Sequence, residues 1–132
     1  MRRQFALPEE DNEYLESTDY KWETVIVGRL NWLIIYDYPV TPSYNIDKVD
    51  IALRIEPGYP VSQIDMVYFN PPLKLVSGKL IGASNSVQVI DGKSFQRWSR
   101  HRTGHNPWRP GLDNVMTHMQ MVTYWIEREL KK

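Results

Sequence analysis

The chain has 132 residues, with 16 Lys plus Arg against 16 Asp plus Glu, nine prolines, no cysteine and 42% hydrophobic residues. That length suits one domain spanning 1–132, able to hide roughly two-thirds of its unfolded surface. The missing cysteine excludes disulfides, thiolate metal sites and a thiol nucleophile.

The net charge of zero conceals a polarity. Residues 1–66 carry 12 acids and 6 bases, and residues 67–132 carry 4 acids and 10 bases, so the halves stand at −6 and +6. No apolar run approaches the ~20 residues of a membrane-spanning helix. Arg2-Arg3 is followed by no apolar stretch of a signal peptide. The expectation is a soluble, cytoplasmic protein with no membrane partner.

In chain order, Leu7-Pro8-Glu9-Glu10-Asp11 opens a short helix, with Pro8 suited to the first turn and the acids to the positive end of the helix dipole. Six acids in residues 9–19 make a negative face, either solvated or a docking surface for a basic partner. Three β-rich runs follow, at 22–29, 31–40 and 49–56, the last with Ile51, Leu53 and Ile55 on one face and Asp50, Arg54 and Glu56 on the other. Pro57-Gly58-Tyr59-Pro60 stops the third, and 64–69 reads as a fourth strand closed by Asn70-Pro71-Pro72. Short connections between them predict an antiparallel meander.

Residues 76–88 are small and polar and predict a mobile loop, with a turn at Asp91-Gly92. From Leu112 the pattern is helical. Asp113 suits the N-cap, and Val115, Met119, Val122 and Ile126 form a core-facing stripe widened by Met116, Trp125 and Leu130. The fold class is therefore α+β: an N-terminal helix, a four-stranded antiparallel meander, a long irregular segment and a C-terminal helix.

The irregular segment carries the chemistry-bearing residues. Residues 92–112 hold Lys93, Arg97, Arg100, Arg102 and Arg109, with His101 and His105 and no acid, interleaved with Phe95, Trp98 and Trp108. In an extended chain Ser99 and His101 project to the same side. A serine hydroxyl needs a neighbouring base to become a nucleophile and positive charge or N–H groups to hold the resulting oxyanion; Arg97, Arg100 and Arg102 can supply that charge. Adjacency alone does not put the two side chains within reach, and a structural Ser99 remains the alternative. Basic residues among aromatics also suit single-stranded nucleic acid, a weaker reading because the chain as a whole is not basic. His101, His105 and His118 lack carboxylates or thiolates at ligand spacing, so neither a metal nor a cofactor is expected.

The order of elements resembles the ubiquitin-conjugating (E2, UBC-like) fold, with a Tyr59-Pro60 turn after the third strand and Trp108-Arg109-Pro110 before the last helix. More narrowly, Leu7-Pro8-Glu9-Glu10-Asp11, Trp98-Ser99-Arg100-His101 and Trp108-Arg109-Pro110-Gly111-Leu112-Asp113 resemble the bacterial E2 family E. That resemblance implies an E2-like role beside an E1-like activating enzyme, a ubiquitin-like modifier and a JAB-type peptidase. It further implies a site at Ser99 and His101, flanked by Arg97, Arg100 and Arg102 and supported by Trp98, Trp108, Pro110 and Asp113.

The chain departs from the eukaryotic pattern in lacking the cysteine and the His-Pro-Asn tripeptide, of which Phe69-Asn70-Pro71 is a distant echo. Three readings of the missing thiol stay open: Ser99 accepts the modifier as an oxyester with His101 as base; the domain is a non-catalytic variant that binds and positions the modifier; or the serine replaces a cysteine, as in a trapped E2. Counting from Gly92 favours Ser94 as the equivalent position, and the Trp98-Ser99-Arg100-His101 block favours Ser99. The resemblance also gives the charge polarity a meaning, since E2 domains commonly meet the E1 through the first helix, here the acidic end.

Overall fold

The computed structural model describes all 132 residues and has the order α1 (Glu9–Ser17), β1 (Trp22–Val27), β2 (Leu30–Pro39), β3 (Lys48–Ile55), β4 (Val67–Asn70), β5 (Ser86–Ile90), β6 (Lys93–Trp98) and α2 (Val115–Arg128), closed by a 3-10 turn at Glu129–Lys131. The α+β class with helices at both ends matches the sequence expectation, but the sheet is larger than the four strands expected. All six strands join one antiparallel sheet in the order β1-β2-β3-β4-β6-β5.

The extra pair is a hairpin inside the stretch expected to be irregular. Asp91 and Gly92 both adopt positive φ, 53° and 78°, as the primed turns that match strand twist require. Residues 86–88 therefore belong to β5 rather than to a loop, and the segment without helix or strand is 71–85, anchored by an isolated Tyr44–Leu75 bridge.

The sheet is curled and packed on both faces. One face meets the helices in a core of 23 buried residues that includes Leu15, Leu33, Ile51, Leu53, Phe69, Trp98, Val115, Met119, Val122 and Ile126. The other holds a smaller cluster of Val25, Trp32, Ile34, Ala52, Tyr68, Ile90 and Phe95. The β5–β6 hairpin contributes to both, Trp98 to the first and Phe95 to the second. Arg2 ties the ends of the curl together: its guanidinium donates to Glu23 of β1 at 2.9 Å and to Asp91 of the hairpin turn at 2.6 Å. This pairing, with Tyr36 donating to the same carboxylate, holds the Glu23 carboxyl down to about 2 against the upward push of burial.

The helical stripe is buried at Val115, Met119, Val122, Trp125 and Ile126, whereas Met116 and Leu130 face solvent. Asp113 is not the N-cap. Asn114 takes that place, its Oδ1 accepting from the Thr117 N–H at 3.1 Å while the Thr117 hydroxyl accepts from the Asn114 N–H at 2.9 Å, a capping box. In α1 Pro8 is the N-cap, and Asp11 is buried rather than part of the acidic face. Its carboxylate accepts from the Tyr59 hydroxyl at 2.6 Å and from the Val115 N–H at 3.1 Å. The Tyr59-Pro60 turn and Trp108 meet, the Trp108 indole donating to the Pro60 carbonyl at 3.0 Å.

Candidate functional site

Strand β6 ends at Trp98, which is fully buried and packs edge-on to Phe69 at 5.0 Å. Its indole N–H donates to Gln96 Oε1 at 3.1 Å. Beyond Trp98 the chain leaves the sheet under two restraints. The Ser99 N–H donates to the Ala83 carbonyl at 2.9 Å, and the Arg100 carbonyl accepts from the Met66 N–H at 3.1 Å. These fix the backbone of Ser99 and Arg100 between the 71–85 loop and the entry to β4.

The side chains of Ser99 and His101 meet. Ser99 Oγ lies 3.1 Å from His101 Nε2, and on the opposite edge of the ring Nδ1 lies 3.0 and 3.1 Å from the two oxygens of Asp65. An ionised carboxylate only accepts, so the shared proton sits on Nδ1, and Nε2 presents its lone pair to the serine hydroxyl. The site opens to solvent, with the His101 side chain 58% exposed.

Asp65 is the member that sequence reasoning missed. Its signal was a lone carboxylate inside the apolar run Ile64-Asp65-Met66-Val67, but no spacing links it to a histidine 36 residues away. The next residue places it. Met66 has φ 59°, a left-handed conformation costing a non-glycine residue about 1–3 kcal/mol. The kink is held by its N–H bond to Arg100 and by buried His118 of α2, whose Nε2–H donates to the Met66 carbonyl at 2.8 Å. Burial pushes the His118 pKa down to about 4, so it stays neutral at neutral pH.

The three arginines differ in their partners. Arg97 donates to Ser86 Oγ at 3.1 Å across the hairpin. Arg100 donates to the carbonyls of Gly82 and Ser99 at 3.1 Å each, lies 5.0 Å over the Trp98 ring and pairs at 3.5 Å with buried Glu129. Arg102, its side chain only 7% exposed, turns inward to Asp113 at 3.6 Å and lies 5.3 Å over the Trp108 ring. Burial pushes the Asp113 carboxyl up, but the Arg109 N–H, the Thr117 hydroxyl and the Arg102 charge outweigh it and hold the pKa below the ordinary value. Asp113 is thus the buried anion under the stretch from Arg102 to Arg109. Trp108 is partly buried beside Tyr59, and Pro110 is exposed. Ser94, the rival position, is exposed on β6, and its carbonyl accepts from Asn70; no histidine side chain hydrogen-bonds to it. An open depression of about 520 Å³ lies in the 71–85 loop, lined by Leu73, Leu75, Leu80, Ile81 and Gln96 and by Ala83, the residue bonded to Ser99.

The model of prokaryotic E2 family E matches residues 7–129. The chain belongs to that family. No curated protein and no solved structure matches it. Membership makes this family E chain an E2-like component of a ubiquitin-like conjugation pathway, which implies an E1-like enzyme and a ubiquitin-like modifier as partners. No helix is long and apolar enough to cross a membrane.

Proposed function

We propose that this family E chain accepts the C-terminus of its ubiquitin-like modifier on Ser99 as an oxyester, with His101 as general base, and passes it to a target. One observation carries the reading: in an E2-family chain with no cysteine, a serine hydroxyl stands 3.1 Å from an imidazole nitrogen. Attack by Oγ on the activated carbonyl of the E1-bound modifier transfers the hydroxyl proton to Nε2. The E1 leaving group then departs and the acyl group rests on Ser99. An oxyester has a poorer leaving group than a thioester, so onward transfer to an amine is the more demanding half-reaction. Arg97, beside the site on β6, is the arginine with most freedom to meet the modifier tail, whereas Arg100 and Arg102 act mainly by fixing the backbone.

Incubation with an E1-like enzyme, the modifier and ATP tests this. The expected adduct survives reducing agent, is cleaved by hydroxide and is lost in Ser99→Ala. Non-covalent modifier binding with no adduct under any condition favours a domain that only binds and positions the modifier. A JAB-type peptidase acting on the finished conjugate and a cytoplasmic location complete the proposed setting.

A further inference from the structure

Asp65 changes what Ser99 and His101 can do together. A serine beside a histidine is an acceptor; a serine, a histidine and a carboxylate joined through opposite nitrogens of one ring are the parts of a hydrolase. We propose that Ser99, His101 and Asp65 form a relay that hydrolyses acyl esters, so that the chain discharges to water the ester its own serine carries. The identity of the natural acyl group rests on the acceptor reading above; the hydrolytic chemistry does not.

Four observations carry it. The contacts of 3.1 Å at Nε2 and 3.0 Å at Nδ1 fix one tautomer, the one that accepts a proton from Oγ. The carboxylate is held in place at a backbone cost, through the left-handed Met66 and its bonds to Arg100 and to His118. The backbone N–H groups of Arg100 and His101 make no hydrogen bond within the chain, and the N–H of the residue after a nucleophilic serine is a recurring oxyanion donor. Finally, the site is open, and an open site admits water to an acyl intermediate that a closed one would protect.

The steps balance. Oγ bonds to the acyl carbon while its proton moves to Nε2, and the carbonyl oxygen becomes the oxyanion. Collapse breaks the bond to the leaving alkoxide or phenolate, which takes the proton from Nε2 and leaves acyl-Ser99. Water then gives a proton to Nε2 as its oxygen bonds to the acyl carbon, the bond to Oγ breaks, and Oγ recovers the proton as the carboxylic acid departs. Asp65 touches no substrate; it is a positioning residue acting through His101. In Asp65→Asn the amide N–H can donate to Nδ1, which moves the ring proton to Nε2, where it blocks acceptance from Ser99.

The test uses the full chain, p-nitrophenyl acetate and a fluorophosphonate label, with no E1 or modifier. The expected result is ester hydrolysis and labelling mapped to Ser99, both lost in Ser99→Ala. A loss of about 100-fold is expected in His101→Ala, the usual scale for a general base. Asp65→Asn should lose at least about tenfold in acylation rate with unchanged melting temperature, and Asp65→Glu should recover part of it. Hydrolysis by Ser99→Ala at the full rate, or full activity in both His101→Ala and Asp65→Asn, overturns the relay. The two readings fail separately: an E1-dependent adduct without esterase activity removes the relay and leaves the acceptor, and esterase activity with neither an adduct nor Ser99-dependent ATP turnover by the E1 does the reverse.

Discussion

His118 of the last helix donates to the carbonyl of Met66 at 2.8 Å, and through that bond a buried residue of α2 sets the position of the carboxylate beside His101. The imidazole is buried, with its ring edge-on to Trp125 at 5.5 Å, and its pKa is pushed down to about 4, chiefly by that burial.

A pH dependence follows from this burial. A histidine with a folded pKa near 4 and an ordinary value of 6.5 binds its proton preferentially in the unfolded chain. Its stability contribution is intact above 6.5 and declines as pH falls toward 4, by about 3 kcal/mol in all. Glu23 acts in the same direction lower down, since a carboxyl held to about 2 loses its native advantage as pH falls from 4.5 toward 2. Urea unfolding from pH 7 to pH 3 should show both phases, and His118→Gln should remove the upper one. A stability flat from pH 6.5 to 4 in the unsubstituted chain would contradict the assignment.

Gln96 makes a second prediction. It is buried on β6, its Oε1 accepting from the Leu73 N–H at 2.8 Å and from the Trp98 indole at 3.1 Å, while its Nε2 donates to the Leu73 carbonyl at 3.3 Å. Gln96→Leu keeps the volume and strands those three groups, for a loss of about 3 kcal/mol. Equilibrium denaturation measures it, and a change under about 0.5 kcal/mol would show that the clamp contributes nothing.

Asp11 joins α1, the Tyr59-Pro60 turn and the first N–H of α2 through one carboxylate. Burial raises its pKa despite the Tyr59 and Val115 donors. Acid therefore relieves the cost of this buried charge, and the loss of stability at low pH must come from groups such as His118 and Glu23. Asp11→Ala strands both donors and should cost about 3 kcal/mol, against about 1 kcal/mol for Tyr59→Phe, which removes one donor and keeps the helix contact. Equal losses in the two variants would mean that the bond to Val115 carries no weight.

Ser99→Cys separates the chemistry of the atom from the geometry of the site. A thiol at this position should accept the modifier faster and hold it as a thioester, so the adduct becomes sensitive to amine and thiol nucleophiles. Non-reducing and reducing gels distinguish the two bonds. An adduct in Ser99→Cys that resists thiols as the serine form does would place the acyl group on another residue.

What the sequence made legible was whatever rests on local pattern. The helical stripe at Val115, Met119, Val122 and Ile126 and the Val49, Ile51, Leu53 and Ile55 face of β3 recur at a fixed period, and β2, though buried on both faces, shows as the unbroken apolar run Trp32-Leu33-Ile34-Ile35. Strand β6 is buried on both faces, with Phe95 in one cluster and Trp98 in the other, so no alternation marks it. Its partner β5 is an edge strand with Val87 and Val89 exposed and reads as loop. In the site, Ser99 and His101 are two residues apart and were visible together; Asp65 depends on a positive-φ residue and a long-range bond that no spacing encodes. The arginines were visible as charge but not as structure, because sequence does not distinguish a solvated guanidinium from one turned inward, as in Arg102.

The most direct measurement is mass spectrometry of the chain after reaction with its E1-like enzyme, modifier and ATP. Acceptance on Ser99 predicts a mass gain of one modifier less one water, mapped to the peptide containing Ser99, released by hydroxide and absent in Ser99→Ala. A modifier attached elsewhere, or an adduct undiminished in Ser99→Ala, would contradict it.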